Sequence, residues 1–240
     1  MSKAKEGPKL VPTVAELEAK IAQFKSELEE ARKRDLITTP AQDQTPPPTP
    51  ATEPTPPMFK LDLGCGKSKK EGFVGVDSIA FPGVDVVCDL AREVWPWKDG
   101  SVEEAYSSHS REHIPAKERA RNYAGDVYPR AHFFNELWRV LKPGGKATFI
   151  TPHWCSNRAY GDVTHEWPPI SEMFYWYLNK AWRETNAPHQ DFWKCDFDTV
   201  QPGYSMHPSL QTKNQDYREL ALTFGKEAAQ DMICTVIKRG

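Results

Sequence analysis

Residues Phe59 to Asp89, FKLDLGCGKSKKEGFVGVDSIAFPGVDVVCD, constrain the chain most. The runs KLDL, FVGVD and DVVCD are apolar and short, are separated by Gly- and Lys-containing turns, and each has an acid at or near its end. That pattern predicts three buried strands. In an open parallel sheet, ligands bind outside the carboxyl ends of the strands, and glycines after the first strand let backbone N–H groups approach closely. Gly64 and Gly66 stand at that place. Only Lys67 to Gly72 separates the glycine loop from the second strand, too few residues for a crossover helix, so the first crossover is predicted as a turn or two.

Three cofactor readings compete for this loop. A phosphate-cradling P-loop needs G-x-x-x-x-G-K-[ST]; Gly66-Lys67-Ser68 fits the second half, but Leu61 stands where the first glycine should be. A dinucleotide fingerprint needs G-x-G-x-x-G with an acid about twenty residues on, whereas Lys69 occupies the third glycine position and Asp77 comes early. The remaining pattern is Asp62-x-Gly64-x-Gly66, a second acid closing the next strand at Asp77, and a third, Asp89, in CDL. With these residues the chain resembles the class I S-adenosylmethionine-dependent methyltransferases. WPWKDGSVEEAYSSHSREHIP is similar to the family's fourth-strand segment, FFNELWRVLKPGGKATFITP to its helix-and-strand signature, and GDVTHEWPPIS to a later loop of some members. The resemblance runs in order from about Phe59 to Ser171.

The resemblance implies an α/β fold: a Rossmann-like three-layer sheet with an antiparallel last strand, with S-adenosylmethionine as cofactor. The shortened first crossover matches one branch of the family. Residue by residue, it implies that backbone N–H groups around Gly64, Cys65 and Gly66 face the methionine end of the cofactor, with Asp62 holding the loop. Asp77 would accept from both ribose hydroxyls, as a two-oxygen carboxylate can. Asp89 would accept from the adenine amino group, Leu90 would cover the ring, and Ser107, Ser108 and His109 would lie beside the sulfonium. Each acid has a plainer reading as a strand-end or cap residue.

Methyl transfer is an in-line displacement, and a base is needed only for a protonated acceptor. His109 and His165 are the catalytic candidates, because imidazole titrates near neutrality. His113 is read with Glu112 as the start of a structural helix. Ser110-Arg111 stands where relatives usually carry apolar residues, which puts Arg111 forward as a contact for an anionic substrate. Between His153 and Tyr204 (about 153–204) the chain is dense in aromatics and reads as a substrate cover, with Trp154, Tyr160 and Trp167 as the first candidates to meet substrate and the rest as core. His153, Cys155, His165, His189 and Cys195 match no compact metal-finger spacing, so no metal site is expected from them.

At 240 residues, 39% of them hydrophobic, the chain can bury a sizeable core, and a net charge of -2 gives no general pull toward nucleic acid. No run is apolar and long enough to cross a membrane, the N-terminus lacks the apolar core of a secretory signal, and the cysteines form no CxxC pair; a cytoplasmic protein is expected. Residues 1–37 contain a coiled-coil-like stripe, Val14, Leu17, Ile21, Phe24, Leu28 and Ala31, so residues 13–33 are expected to self-associate. Residues 38–57, rich in Pro and Thr, read as an extended spacer, and residues 58–240 as the methyltransferase domain.

Within that domain, residues 130–141 are expected to form a helix that buries Phe133, Phe134, Leu137, Trp138 and Leu141, stopped by Lys142-Pro143-Gly144-Gly145. YRELALTF and DMICTVIKR are expected as two antiparallel final strands. The acceptor is expected to be a small molecule, sugar or glycan methylated on oxygen or nitrogen. The fourth strand ends in SSHS, not the Asn/Asp-Pro-Pro-aromatic motif of amino-methylating DNA enzymes, and the chain has no Pro-Cys dipeptide. The rival readings are a non-catalytic assembly module tethered through its coiled coil, and a dinucleotide oxidoreductase.

Overall fold

The computed structural model describes residues 58–119 and 126–240. The coiled-coil-like stripe and the Pro/Thr spacer lie outside the described residues. The strands are β1 (Phe59–Leu63), β2 (Val74–Asp77), β3 (Val86–Val87), β4 (Val102–Ser108), β5 (Glu118–Arg119) and β6 (Asp126–Val127). Helix α1 (Pro129–Val140) follows and leads directly into β7 (Leu141–Pro152). The chain continues through α2 (Arg158–Gly161), α3 (Glu172–Trp176), α4 (Lys180–Asn186), β8 (Phe197–Thr199), β9 (Gly203–Met206), α5 (Gln215–Phe224) and β10 (Ala229–Lys238).

One sheet of eight strands runs in the order β3-β2-β1-β4-β7-β10-β8, with β9 paired to β10. The pairs β1–β2, β2–β3, β1–β4 and β4–β7 are parallel, and β10 is antiparallel to β7, β8 and β9. The chain winds outward from β1 to β3, then returns to place β4 on the other side of β1. This is the Rossmann-like order with an antiparallel late strand, and its switch point lies between the carboxyl ends of β1 and β4.

Polar staples stand in for a helix between β1 and β2. Asp62, 3% exposed, accepts the Lys70 N–H at 2.7 Å, and Asp85 accepts both the Gly75 N–H and Lys69 Nζ at 2.7 Å. The Lys70 ammonium lies 4.1 Å from the centroid of the Tyr106 ring. The lysines of this turn therefore fasten the connection that the sequence left too short for a helix.

Helix α1 starts with Pro129 at its first turn, where a missing N–H costs nothing. Its buried face, Phe133, Phe134, Leu137 and Val140, meets Phe149 of β7; the Phe134–Phe149 rings stand 5.4 Å apart, and those of Phe134 and Phe197 6.5 Å. The core continues through Leu61, Leu63, Val76, Val102, Tyr175, Met232 and Val236, each large apolar side chain adding about 1.5–3 kcal/mol on burial.

The expectation of two antiparallel strands at the C-terminus is corrected. DMICTVIKR lies in β10, but YRELALTF lies in helix α5, whose N-cap Asn214 accepts the Tyr217 N–H at 2.9 Å. The antiparallel partners of β10 are β7, β8 and β9.

Candidate functional site

A crevice of about 600 Å³ opens at the switch point, lined by Gly64, Gly66, Asp77, Asp89, Leu90 and His109 together with Ile79, Phe81, Cys88, Arg92 and Ser110. Gly64 (φ 73°) and Gly66 (φ 53°) both occupy the left-handed region, where a side chain is strained. A Cβ on Gly66 would meet nothing within 4 Å, so this backbone faces open space; a Cβ on Gly64 would stand 1.9 Å from Ser110 Oγ. The glycine loop thus favours glycine for two reasons, a left-handed backbone at both positions and, at Gly64, no room for a Cβ beside Ser110.

The loop's backbone donors are directed inward, which corrects the expectation that they face a ligand. The N–H groups of Gly64 and Cys65 both donate to the Val76 carbonyl, at 2.8 and 3.1 Å, and the Gly66 N–H donates to Asp77 Oδ2 at 2.9 Å. Asp77 Oδ1 accepts the Ile79 N–H at 3.0 Å. Each oxygen is held by one backbone donor and retains acceptor capacity toward the crevice. Asp89 closes a turn, accepting from the Ala91 N–H at 3.0 Å and from Arg92 at 3.1 Å, and Leu90 beside it is buried.

Three expected cofactor residues do not reach the crevice. Asp62 is sealed behind the loop by the Lys70 N–H, and burial raises its carboxyl pKa against the lowering effect of that bond. The Cys65 thiol is buried, and burial, with Asp62 and Asp77 nearby, pushes it up to about 11. Ser107 points into the sheet's packed side, 2% exposed. Ser110 takes the place at the wall that Ser107 was expected to fill.

Beyond His109 lies a second cleft of about 350 Å³, lined by His109, Glu112, His113, Pro152, Arg158, Gly161, Asp162 and His165. His109 and His113 line both cavities and form the wall between them. His109 holds φ 51°, uncommon outside glycine, and its N–H is fixed to the Ile150 carbonyl at 2.9 Å. Its Nδ1 stands 3.3 Å from Glu112 Oε1 and its Nε2 3.8 Å from Asp231 Oδ1. The Glu112 carboxylate raises the His109 imidazole above its ordinary value, against burial. Arg158 donates to Asp231 Oδ2 at 2.7 Å on the cleft's rim.

Arg130 explains why His113 and His165 meet. Buried at the start of α1, its guanidinium donates to the carbonyls of Ile114 (2.7 Å), Pro168 (2.7 Å) and Glu166 (3.0 Å). The Glu166 N–H in turn donates to the Glu112 carbonyl at 2.8 Å. One side chain therefore ties the segment after β4 to the THEWPP loop, and the rings of His113 and His165 stand 4.8 Å apart.

Arg111 is corrected outright as a substrate contact. It is 2% exposed, donates to the Tyr175 hydroxyl at 2.6 Å, and lies 4.1 Å from the Phe149 ring centroid. The cation that faces the cleft is Arg158. Trp154, Tyr160 and Trp167 are exposed and line neither cavity; Trp154 donates to Glu172 at 3.0 Å and Tyr160 donates to the Trp154 carbonyl at 2.7 Å. Of the five His and Cys residues weighed for a metal, His153 is turned to Glu172 at 3.0 Å and Cys195 is sealed in the core. A different group assembles among the described residues: Glu112, His113 and His165, with one donor atom from each within 4.8 Å of the others. A further hollow of about 380 Å³, among Lys180, Arg183, Trp193 and Lys194, shares no residue with the glycine loop. No helix among the described residues is long and apolar enough to cross a membrane.

Comparison with known proteins finds no family model and no curated protein that matches. Similar solved structures include a methyltransferase from Archaeoglobus fulgidus described as S-adenosylmethionine-dependent, 16% identical over 76% of this chain and 87% of that one, with a TM-score of 0.47. The complex of the Haloferax volcanii Trm112 methyltransferase activator with a methyltransferase matches at 14% identity, 76% and 82% coverage and a TM-score of 0.46. A geranyl diphosphate C-methyltransferase from Streptomyces coelicolor matches at 16%, 76% and 71%, and 0.41. At this distance the function is read from the chain's own residues.

Proposed function

We propose that the chain is an S-adenosylmethionine-dependent methyltransferase whose crevice holds the cofactor and whose histidine-lined cleft holds a polar acceptor. The observation that carries this reading is Asp77: a carboxylate at the end of β2, fixed by the Gly66 and Ile79 N–H groups on a crevice of about 600 Å³ at the sheet's switch point. Each of its oxygens keeps acceptor capacity, which supports a role in accepting from the hydroxyl pair of a ribose. Leu90 and Asp89, at the next strand's end, offer an apolar contact and an acceptor for the base. Gly66 leaves room for the amino-acid end. When bound, the cofactor supplies an electrophilic methyl group.

The chain's task is then to place an acceptor atom, exclude water and take up a proton where the acceptor carries one. His109 is the residue for the last task, since it lines both cavities and has Glu112 and Asp231 beside its two ring nitrogens. Arg158, Asp162 and His165 give the cleft a polar lining at the size of a sugar or small metabolite, which supports transfer to oxygen or nitrogen over transfer to an apolar carbon. Exposed Trp167 lines neither cavity but follows His165 and Glu166, which do, and on that ground is proposed as a contact at the acceptor's entrance.

Calorimetric titration of S-adenosylmethionine and its demethylated product into the full chain tests this reading. Binding of both, weakened about a hundredfold or more by Asp77→Ala through loss of two charge-assisted hydrogen bonds at about 1.5–3 kcal/mol each, supports it. No binding of either ligand to the parent protein removes the enzyme reading and leaves the tethered assembly module. Trp167→Ala should leave the melting temperature unchanged and lower acceptor turnover; unchanged turnover removes Trp167 from the acceptor path.

A further inference from the structure

Glu112 presents an unusual situation. Its side chain is 7% exposed, it lines the cleft, and neither carboxylate oxygen has a hydrogen-bond partner. Nδ1 of His109 comes to 3.3 Å of Oε1 without the alignment of a hydrogen bond. A buried, unpartnered carboxylate is costly unless something positive sits against it.

The two histidines beside it are set in a matching state. Thr164 Oγ1 donates its one proton to Asp162 Oδ1 at 2.7 Å, so toward His113 Nδ1, 3.0 Å away, it can only accept. The Thr164 carbonyl, 3.3 Å from the same nitrogen, is also an acceptor. Nδ1 of His113 therefore carries the proton, and in the neutral ring Nε2 is left with its lone pair. His165 Nδ1 faces the Ala159 carbonyl at 3.2 Å and is a donor for the same reason. Fixing one ring nitrogen on a carbonyl while the other is free is how metal-ligating histidines are oriented. Asp162 Oδ2 stands 4.0 Å from His165 Nε2 as a further oxygen at the rim.

We infer that Glu112, His113 and His165 form a binding site for a divalent first-row transition cation, in the wall of the cleft. Nitrogen and oxygen ligands at about 2.0–2.2 Å from one ion lie at most about 4.4 Å apart, so a group already within 4.8 Å closes on a cation by small side-chain rotations. Two imidazoles and one carboxylate suit Mn, Fe, Co or Zn better than Mg or Ca, and leave coordination positions open. On the methyltransferase reading, and only there, the ion would hold an acceptor oxygen and ease loss of its proton to His109.

The experiment uses the full, untagged chain freed of metal with a chelator and titrated with Mn²⁺ without cofactor, with free Mn²⁺ followed by its paramagnetic resonance signal. One saturable site per chain is expected. His113→Ala should weaken it at least tenfold; His113 is exposed, and its melting temperature in chelator should match the parent's. Thr164→Val, which touches no ion and removes only the hydroxyl that orients His113, should weaken binding by about tenfold. Mn²⁺ should raise the parent's melting temperature more than that of His113→Ala at the same concentration. Absence of saturable Mn²⁺ and Zn²⁺ binding overturns the site, and so does undiminished binding in His113→Ala. Asp77→Ala should titrate with Mn²⁺ like the parent, so loss of the cation site and loss of the cofactor site are told apart.

Discussion

The two cavities on either side of His109 are built by opposite means. Asp77 and Asp89 in the crevice, and Asp62 behind it, each accept a backbone N–H from within their own turn or the next one: Gly66 with Ile79, Ala91, and Lys70. In the cleft, Glu112 has no such donor, and its companion His165 comes from a loop brought in by Arg130. Local turns preorganise the first cavity, whereas long-range contacts assemble the second and leave the Glu112 oxygens without a hydrogen bond, with the His109 ring 3.3 Å away.

The contrast can be broken most forcefully at Gly64. Gly64→Ala should destabilise the fold by about 2–5 kcal/mol, combining the left-handed backbone with overpacking against Ser110. Denaturant unfolding of Gly64→Ala with Ser110→Gly should recover the overpacking part, about 1–3 kcal/mol; no recovery would mean that the two segments do not press on each other. A smaller effect separates engaged from unengaged acids. Asp62→Ala orphans the Lys70 N–H and should cost about 1–3 kcal/mol, whereas Glu112→Gln should change stability by less than about 1 kcal/mol. Equal losses would erase the distinction.

The smallest effect belongs to the aromatic cover. Burial raises the Glu172 carboxyl, but hydrogen bonds from His153 and Tyr204 outweigh it and hold the group down at about 2. A carboxylate lowered from its ordinary 4.5 contributes stability fully above that value and loses it as pH falls toward about 2. Melting temperature against pH should therefore show a steeper acid limb in the parent than in Glu172→Gln; parallel limbs would mean that Glu172 is not held down by its partners.

The crevice was readable in the sequence because its determinants are local. KLDL-G-C-G, VGVD and CDL fix strand ends, turns and acids within a few residues of one another, and the Lys67–Gly72 stretch announced a connection too short for a helix. The direction of the loop's N–H groups was not readable, since it depends on the Val76 carbonyl of the neighbouring strand. Arg111 misled because its burial is supplied by Phe149 and Tyr175, far along the chain. Glu112 and His113 were legible as a pair, but their meeting with His165 is the work of Arg130, whose place inside the helix pattern gave no sign of it. For α5 a signal was present: Asn214 at the N-cap and Gly225 after the last turn punctuate a helix, and the apolar spacing was read with the wrong period.

Ser110, set so near Gly64 that a Cβ there would stand 1.9 Å from its Oγ, ties the glycine loop to the segment that forms the wall between the cavities. Ser110 is the residue that leads into Arg111, Glu112 and His113, so a shift of the glycine loop would press on the start of that turn. Filling the crevice would then bear on the cation site, and cofactor and cation would report on each other's presence as cooperativity in their binding.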